Sequence, residues 1–132
     1  MKVEHIGIAV KNLADSNELF SKLFGRDNYK VESVESEGVS TSFFMCGETK
    51  VELLEATNPD SAIAKFIEKR GEGIHHIAFE VEDIHAEMQR LKNEGFQILN
   101  ETPKKGADNK LVAFLHPKTT NGVLIELCQE IK

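Results

Sequence analysis

Four residues of the 132-residue chain have the types and spacing to do metal chemistry: His5, Glu52, His76 and Glu126. Each lies in an otherwise apolar, strand-like run, "EHIGIAV", "KVELLE", "GIHHIAFEV" and "GVLIELCQ". A glutamate in the middle of such a run is costly to bury unless it is paired, hydrogen-bonded or bound to a cation. Two imidazoles and two carboxylates suit a first-row divalent metal with positions left open for water or substrate. The two carboxylates balance a dication, so the filled site is near neutral.

The order His, Glu, His, Glu follows from an internal repeat. "HIGIAVKNL" from His5 aligns with "HIAFEVEDI" from His76: His5/His76, Ile6/Ile77 and Val10/Val81 are identical, and Leu13/Ile84 is similar. Each stretch runs into a helical pattern closed by glycine. The first places Leu19, Phe20, Leu23 and Phe24 before Gly25. The second has Asp83 as N-cap, Ile84, Met88 and Leu91 on one face, and Gly95 as C-cap. Extended segments follow, "KVESVES", "GVSTSFFMCG" and "TKVELLEA" in one half, "FQILNET", "NKLVAFLHP" and "GVLIELCQ" in the other. The expected class is α+β: two tandem βαβββ modules, about 1–57 and 73–131, within one domain spanning 1–132. A short amphipathic linker helix at about 60–71 carries Ile63, Phe66 and Ile67.

Strand parity aims the four residues. Successive side chains on a strand point to opposite faces. Ile6, Ile8 and Val10 share one face, and His5, Gly7 and Ala9 the other. Ile77, Phe79 and Val81 oppose His76 and Ala78, so His76 faces the open side and the adjacent His75 the helix side. Glu52 and Glu126 are likewise alone among apolar neighbours on the opposite face. The bulky face belongs against a helix, and the face of small residues leaves room for a ligand. His75, His85 and His116 lack this argument and read as surface residues. The phenylalanines of "SFFM" read as core and interface.

Composition excludes other classes. Hydrophobic residues are 40% and charged residues 29%, as in soluble globular proteins. No apolar run approaches the roughly 18–20 residues of a membrane span. The start, "MKVEHIGIAV", has no signal or transit pattern, which implies a cytoplasmic location. A net charge of −6 without a basic stripe argues against nucleic acid. Cys46 and Cys128 have no metal-type spacing and read as reduced thiols.

These residues resemble the vicinal oxygen chelate (glyoxalase/bleomycin resistance) superfamily, and within it the methylmalonyl-CoA epimerases. The matching stretches are "EHIGIAVKNL", "GETKVELLEA", "SAIAKFIEKRGEGIHHIAFEVEDI", "TPKKGA" and "VAFLHPKTTNGVLIELCQ", essentially the whole chain. "GIHHIAFEV", "FLHPK" and "GVLIEL" are rather specific to the epimerase branch. The resemblance implies paired βαβββ modules forming a half-barrel around one divalent metal, in a homodimer. Carried over by position, the ligands are His5, Glu52, His76 and Glu126. The implied metal is Co2+, with Ni2+, Mn2+, Zn2+ or Mg2+ as alternatives.

The implied reaction, part of propionate metabolism, interconverts the 2R and 2S epimers of methylmalonyl-CoA through an enolate. Glu126 and Glu52 are the acids implied for proton transfer, Glu126 first because its motif matches best. Two positions depart from the pattern. Some epimerases carry glutamine where Glu52 stands. Some carry a catalytic glutamate about where Thr41 stands, which leaves the second proton-transfer group open. The substrate is polyanionic and the protein acidic, so a basic rim is needed. Lys104, Lys105, Lys110 and Lys118 are its candidates, with CoA as their ligand. Two alternatives share the fold: a metal-dependent isomerase like glyoxalase I (lactoylglutathione lyase), and a non-enzymatic small-molecule-binding protein.

Overall fold

The computed structural model describes residues 1–132. The chain divides into two compact units, residues 5–75 in one, residues 1–4 and 76–132 in the other. The helices and sheets of the repeat are present in both, which bears out the α+β class.

The first unit contains β1 (Lys2–Ala9) from His5 onward, α1 (Leu13–Phe24), β2 (Lys30–Val34), β3 (Val39–Cys46), β4 (Thr49–Ala56) and α2 (Ala62–Arg70). Its strands lie in the order β2-β3-β4-β1; β1 and β4 are parallel, and the other neighbours antiparallel. The Asn12 side chain caps α1 by accepting from Asp15 N–H, and Gly25 ends it at φ 70. From α1, Leu13, Phe20 and Phe24 pack on Ile8, Val10, Phe44, Val51 and Leu53, the bulky face expected from parity. Leu19 and Leu23 point outward and are exposed.

The linker helix has a structural task as well. Ser61 caps α2, accepting from Ala64 N–H, and Ile63, Phe66 and Ile67 pack on Ala9, Val34, Val39, Leu54 and Ala56. That is the small-residue face, so α2 covers one end of it. Gly38, before β3, has φ 63, and a Cβ there would meet Asn58 Cβ at 2.9 Å and Ser61 Cβ at 3.0 Å. Only glycine lets the chain pass under the start of α2.

The second unit contains β5 (Gly73–Glu80) from His76 onward, α3 (Ile84–Asn93), β6 (Lys104–Lys105), β7 (Lys110–Leu115) and β8 (Ile125–Glu130). Its order is β5-β8-β7-β6, again with one parallel pair, β5 and β8. Asp83 caps α3 as expected, accepting from Ala86 N–H. Ile84, Met88 and Leu91 pack on Ala113, Leu115 and Leu127. Glu94 is the C-cap, with Gly95 next at φ 96.

The "FQILNET" strand is not formed. Only Ile98 bridges to β7, opposite Leu115. Asn100 accepts from Phe114 N–H through its side chain at 2.9 Å, replacing a ladder bond. Pro103 has no N–H to donate, and β6 is confined to two residues after it. In "GVLIELCQ" the strand starts only at Ile125, because Gly122 N–H and Val123 N–H bond back to Pro117 and Thr120 in a turn.

Candidate metal and proton-transfer site

β1 and β4 run parallel with Gly7 in register with Glu52. His5, two residues before Gly7, shares its face. The lack of a side chain on Gly7 gives the imidazole and the carboxylate room to meet, and His5 Nδ1 lies 3.1 Å from Glu52 Oε2. On the other side of Glu52 the antiparallel β3 places Phe43 in register.

The second unit repeats this arrangement. Ala78 is in register with Glu126 across the parallel β5/β8 pair. His76 Nε2 lies 3.2 Å from Glu126 Oε1. On the other side, Phe114 of β7 is in register with Glu126, and its ring meets the His76 ring edge-on at 6.1 Å. All four polar residues are buried: His5 and Glu52 at 5% exposure, His76 and Glu126 at 6%. The parity expectation of one inward His and one inward Glu per module is met within each unit.

The donor set fits a divalent cation. A ligand nitrogen and oxygen, each about 2.1 Å from a common ion, stand about 3.0–3.4 Å apart at octahedral or tetrahedral angles. Both His–Glu pairs have that spacing. Imidazole nitrogen with carboxylate oxygen is the ligand set of hard to borderline first-row ions.

Nothing in the local sequence pattern marks Phe43 and Phe114 as site residues. Cross-strand register, not parity alone, places each beside its glutamate. Of the other residues considered, Thr41 is 1% exposed and in register with Leu54 on one side and Glu32 on the other. His75 is not a surface residue: it is half-buried, edge-on to Phe66 at 5.0 Å. His85 is exposed. His116 is half-buried and caps a turn, its Nδ1 accepting from Lys118 N–H. Lys104, Lys105 and Lys118 are exposed. Lys110 is buried, because its position on β7 pairs with Glu130 and faces inward, so it is no part of a solvent-facing rim. Both cysteines are free; burial, with Glu126 next in effect, pushes the Cys128 thiol up, away from the reactive thiolate. No helix is long and apolar enough to cross a membrane.

Comparison with known proteins agrees with the fold. The family model of the Glyoxalase/Bleomycin resistance protein/Dioxygenase superfamily matches residues 4–114. The chain is 43% identical to the mitochondrial methylmalonyl-CoA epimerase of Dictyostelium discoideum, over 96% of this chain and 76% of that one. The crystal structure of hypothetical protein BH1468 from Bacillus halodurans C-125 has a TM-score of 0.96 at 44% identity, covering 99% of this chain and 95% of that one. A variant of Streptomyces coelicolor methylmalonyl-CoA epimerase, solved in complex with 2-nitronate-propionyl-CoA, has a TM-score of 0.93 at 33% identity, covering 100% and 99%. The chain belongs to the glyoxalase/bleomycin resistance protein/dioxygenase superfamily and, within it, to the methylmalonyl-CoA epimerase family.

Proposed function

We propose that the protein is an isomerase that interconverts the 2R and 2S epimers of methylmalonyl-CoA. The observation that carries this reading is the twice-built set of a buried histidine, a small residue and a buried glutamate, in a chain whose relatives are named for that reaction. His5, Glu52, His76 and Glu126 would hold one divalent ion, Co2+ by resemblance. When bound, the ion would supply Lewis-acid stabilisation of the negative charge that develops on the substrate.

The chain's own residues do the rest. The C2 proton lies between a thioester and a carboxylate, with a pKa far above the ~4.3 of a free glutamate. Glu126 takes that proton from one face of C2. His76 holds the carboxylate in place, and Phe114 shields its flank from water. A proton must then return to the other face. The first unit's site face offers two strand carboxylates for this, Glu52 and Glu32. Lys104, Lys105 and Lys118 meet the anionic CoA tail, and the working form is a homodimer, as the resemblance implies.

The test is turnover. Each purified epimer should reach the same equilibrium mixture in the presence of metal-loaded protein, while the glutathione hemithioacetal of methylglyoxal turns over far more slowly. Robust hemithioacetal isomerisation with neither epimer inverted would move the protein to the glyoxalase I reading. Metal binding with neither activity would move it to the binding-protein reading.

A further inference from the structure

The two strand carboxylates on the first unit's site face are differently placed. Glu52 is engaged, 3.1 Å from His5 and 5% exposed. Glu32 stands apart on the edge strand β2. Its carboxylate lies 3.5 Å from Lys30 Nζ, with 36% of its side chain exposed. That ammonium sits 4.6 Å from the centroid of the Phe43 ring. Phe43 is in register with Lys30 on one side and with Glu52 on the other. The chain of contacts fixes the direction: Lys30 lies over Phe43, Glu32 pairs with Lys30, and both therefore share the face of Glu52. Val31 and Ser33, between and beyond them, are exposed on the other face. Directly across from Glu32 in register is Thr41, which carries neither acid nor base.

The repeat makes Glu32 informative. The modules match at His5/His76, Gly7/Ala78, Glu52/Glu126 and Phe43/Phe114. Two residues before the phenylalanine the match continues as Thr41/Val112, and across from these stand Glu32 and Lys104. At that edge position the first module has a carboxylate and the second an ammonium. A symmetric framework that handles an asymmetric substrate needs such a difference. The cationic edge suits an anionic tail. The carboxylate edge suits a proton acceptor or donor.

We propose that Glu32, on the first unit's site face, is the second proton-transfer residue; this rests on the epimerase reading above. In one direction Glu126 takes the C2 proton, and the C–H bonding pair becomes the enolate. The protonated Glu32 then gives its O–H proton to the opposite face of C2, forming the new C–H bond and leaving a carboxylate. The reverse direction exchanges the two roles, and the proton count is unchanged over a cycle. Lys30, seated over the Phe43 ring, pairs with Glu32 and holds its side chain toward the site. Its partial exposure lets the proton exchange with solvent between turnovers.

The test uses Glu32→Gln and Glu32→Asp with each pure epimer of methylmalonyl-CoA in deuterated water, reading inversion and C2 deuterium separately. Glu32→Gln should slow inversion in both directions by about 10²-fold or more, the scale of a general acid–base group. It should keep wild-type metal content, and one epimer should still exchange its C2 hydrogen for deuterium without inverting. Glu32→Asp retains a carboxylate and should recover part of the inversion rate. The proposal is overturned if Glu32→Gln inverts both epimers at near wild-type rate, or if exchange and inversion fall together for both epimers. Wild-type protein that inverts neither epimer would instead remove the epimerase reading, and this assignment with it.

Discussion

His76 Nε2 and Glu126 Oε1 lie 3.2 Å apart, both side chains buried, on parallel neighbouring strands. Parallel pairing aligns the two strands in one direction, so a residue two positions before the register partner of Glu126 reaches back to its carboxylate. The repeat builds the same relationship between His5 and Glu52 at 3.1 Å. The spacing that looks like an ion pair is also the spacing of two ligands on one ion.

Replacing His76 with alanine should therefore remove most of the bound metal while the protein remains folded. A ligand held by the native state alone stabilises it by about 2.7 kcal/mol at 100 times its Kd. In the wild type, added divalent ion should raise the thermal midpoint. In His76→Ala that increment should vanish. Metal analysis and thermal scans with and without added ion check both parts.

Glu126→Gln keeps an oxygen donor but loses the ability to take a proton. Metal should be substantially retained, and the epimerisation rate should fall by about 10²-fold or more. Glu52→Gln should cost less, since the Glu32 proposal leaves Glu52 with the ligand role alone. Equal losses in the two variants, measured side by side with metal content, would return Glu52 to a proton-transfer role.

Much of this site is legible in the sequence because it follows period-2 alternation within single strands. The inward aim of His5, His76, Glu52 and Glu126 needs only parity and the repeat. Phe43, Phe114 and Glu32 need the register between strands, which long-range pairing sets and a local pattern does not show. Phe43 was indistinguishable from the helix-facing Phe44 until β4 placed it beside Glu52. The "FQILNET" segment has strand-like composition, yet Asn100 and Pro103 take it out of the ladder. The buried Lys110 looks like its exposed neighbours in the sequence because a lysine's ordinary place is the surface. α2 was legible as an amphipathic helix, but not its place on the site face, which depends on Ala9, Val39 and Leu54 being brought together.

Gly25 and Gly38 should respond differently to alanine. Both have positive φ, but nothing lies within 4 Å of a Cβ at Gly25, whereas Gly38 would press on Asn58 and Ser61. Gly25→Ala should cost about 1 kcal/mol, the penalty of the left-handed conformation. Gly38→Ala should cost about 2 kcal/mol or more, since the clash adds to it. Urea unfolding of both variants measures the difference, and similar costs would mean that the α2 approach relaxes freely.

Changing Lys104, Lys105 and Lys118 to alanine together should raise KM for the CoA substrate while leaving kcat close to wild type. The loss should shrink as salt is added, because exposed charges are screened. An unchanged KM at low salt would place the CoA tail elsewhere.

Metal-dependent epimerisation is tested by following (2R)-methylmalonyl-CoA in deuterated water by proton NMR and chiral analysis, with the protein metal-loaded and then stripped by chelator. The loaded protein should epimerise the substrate with deuterium entering C2, lose both on stripping, and recover both when the divalent ion is returned. Metal-loaded protein that leaves the C2 hydrogen and the configuration untouched would contradict it.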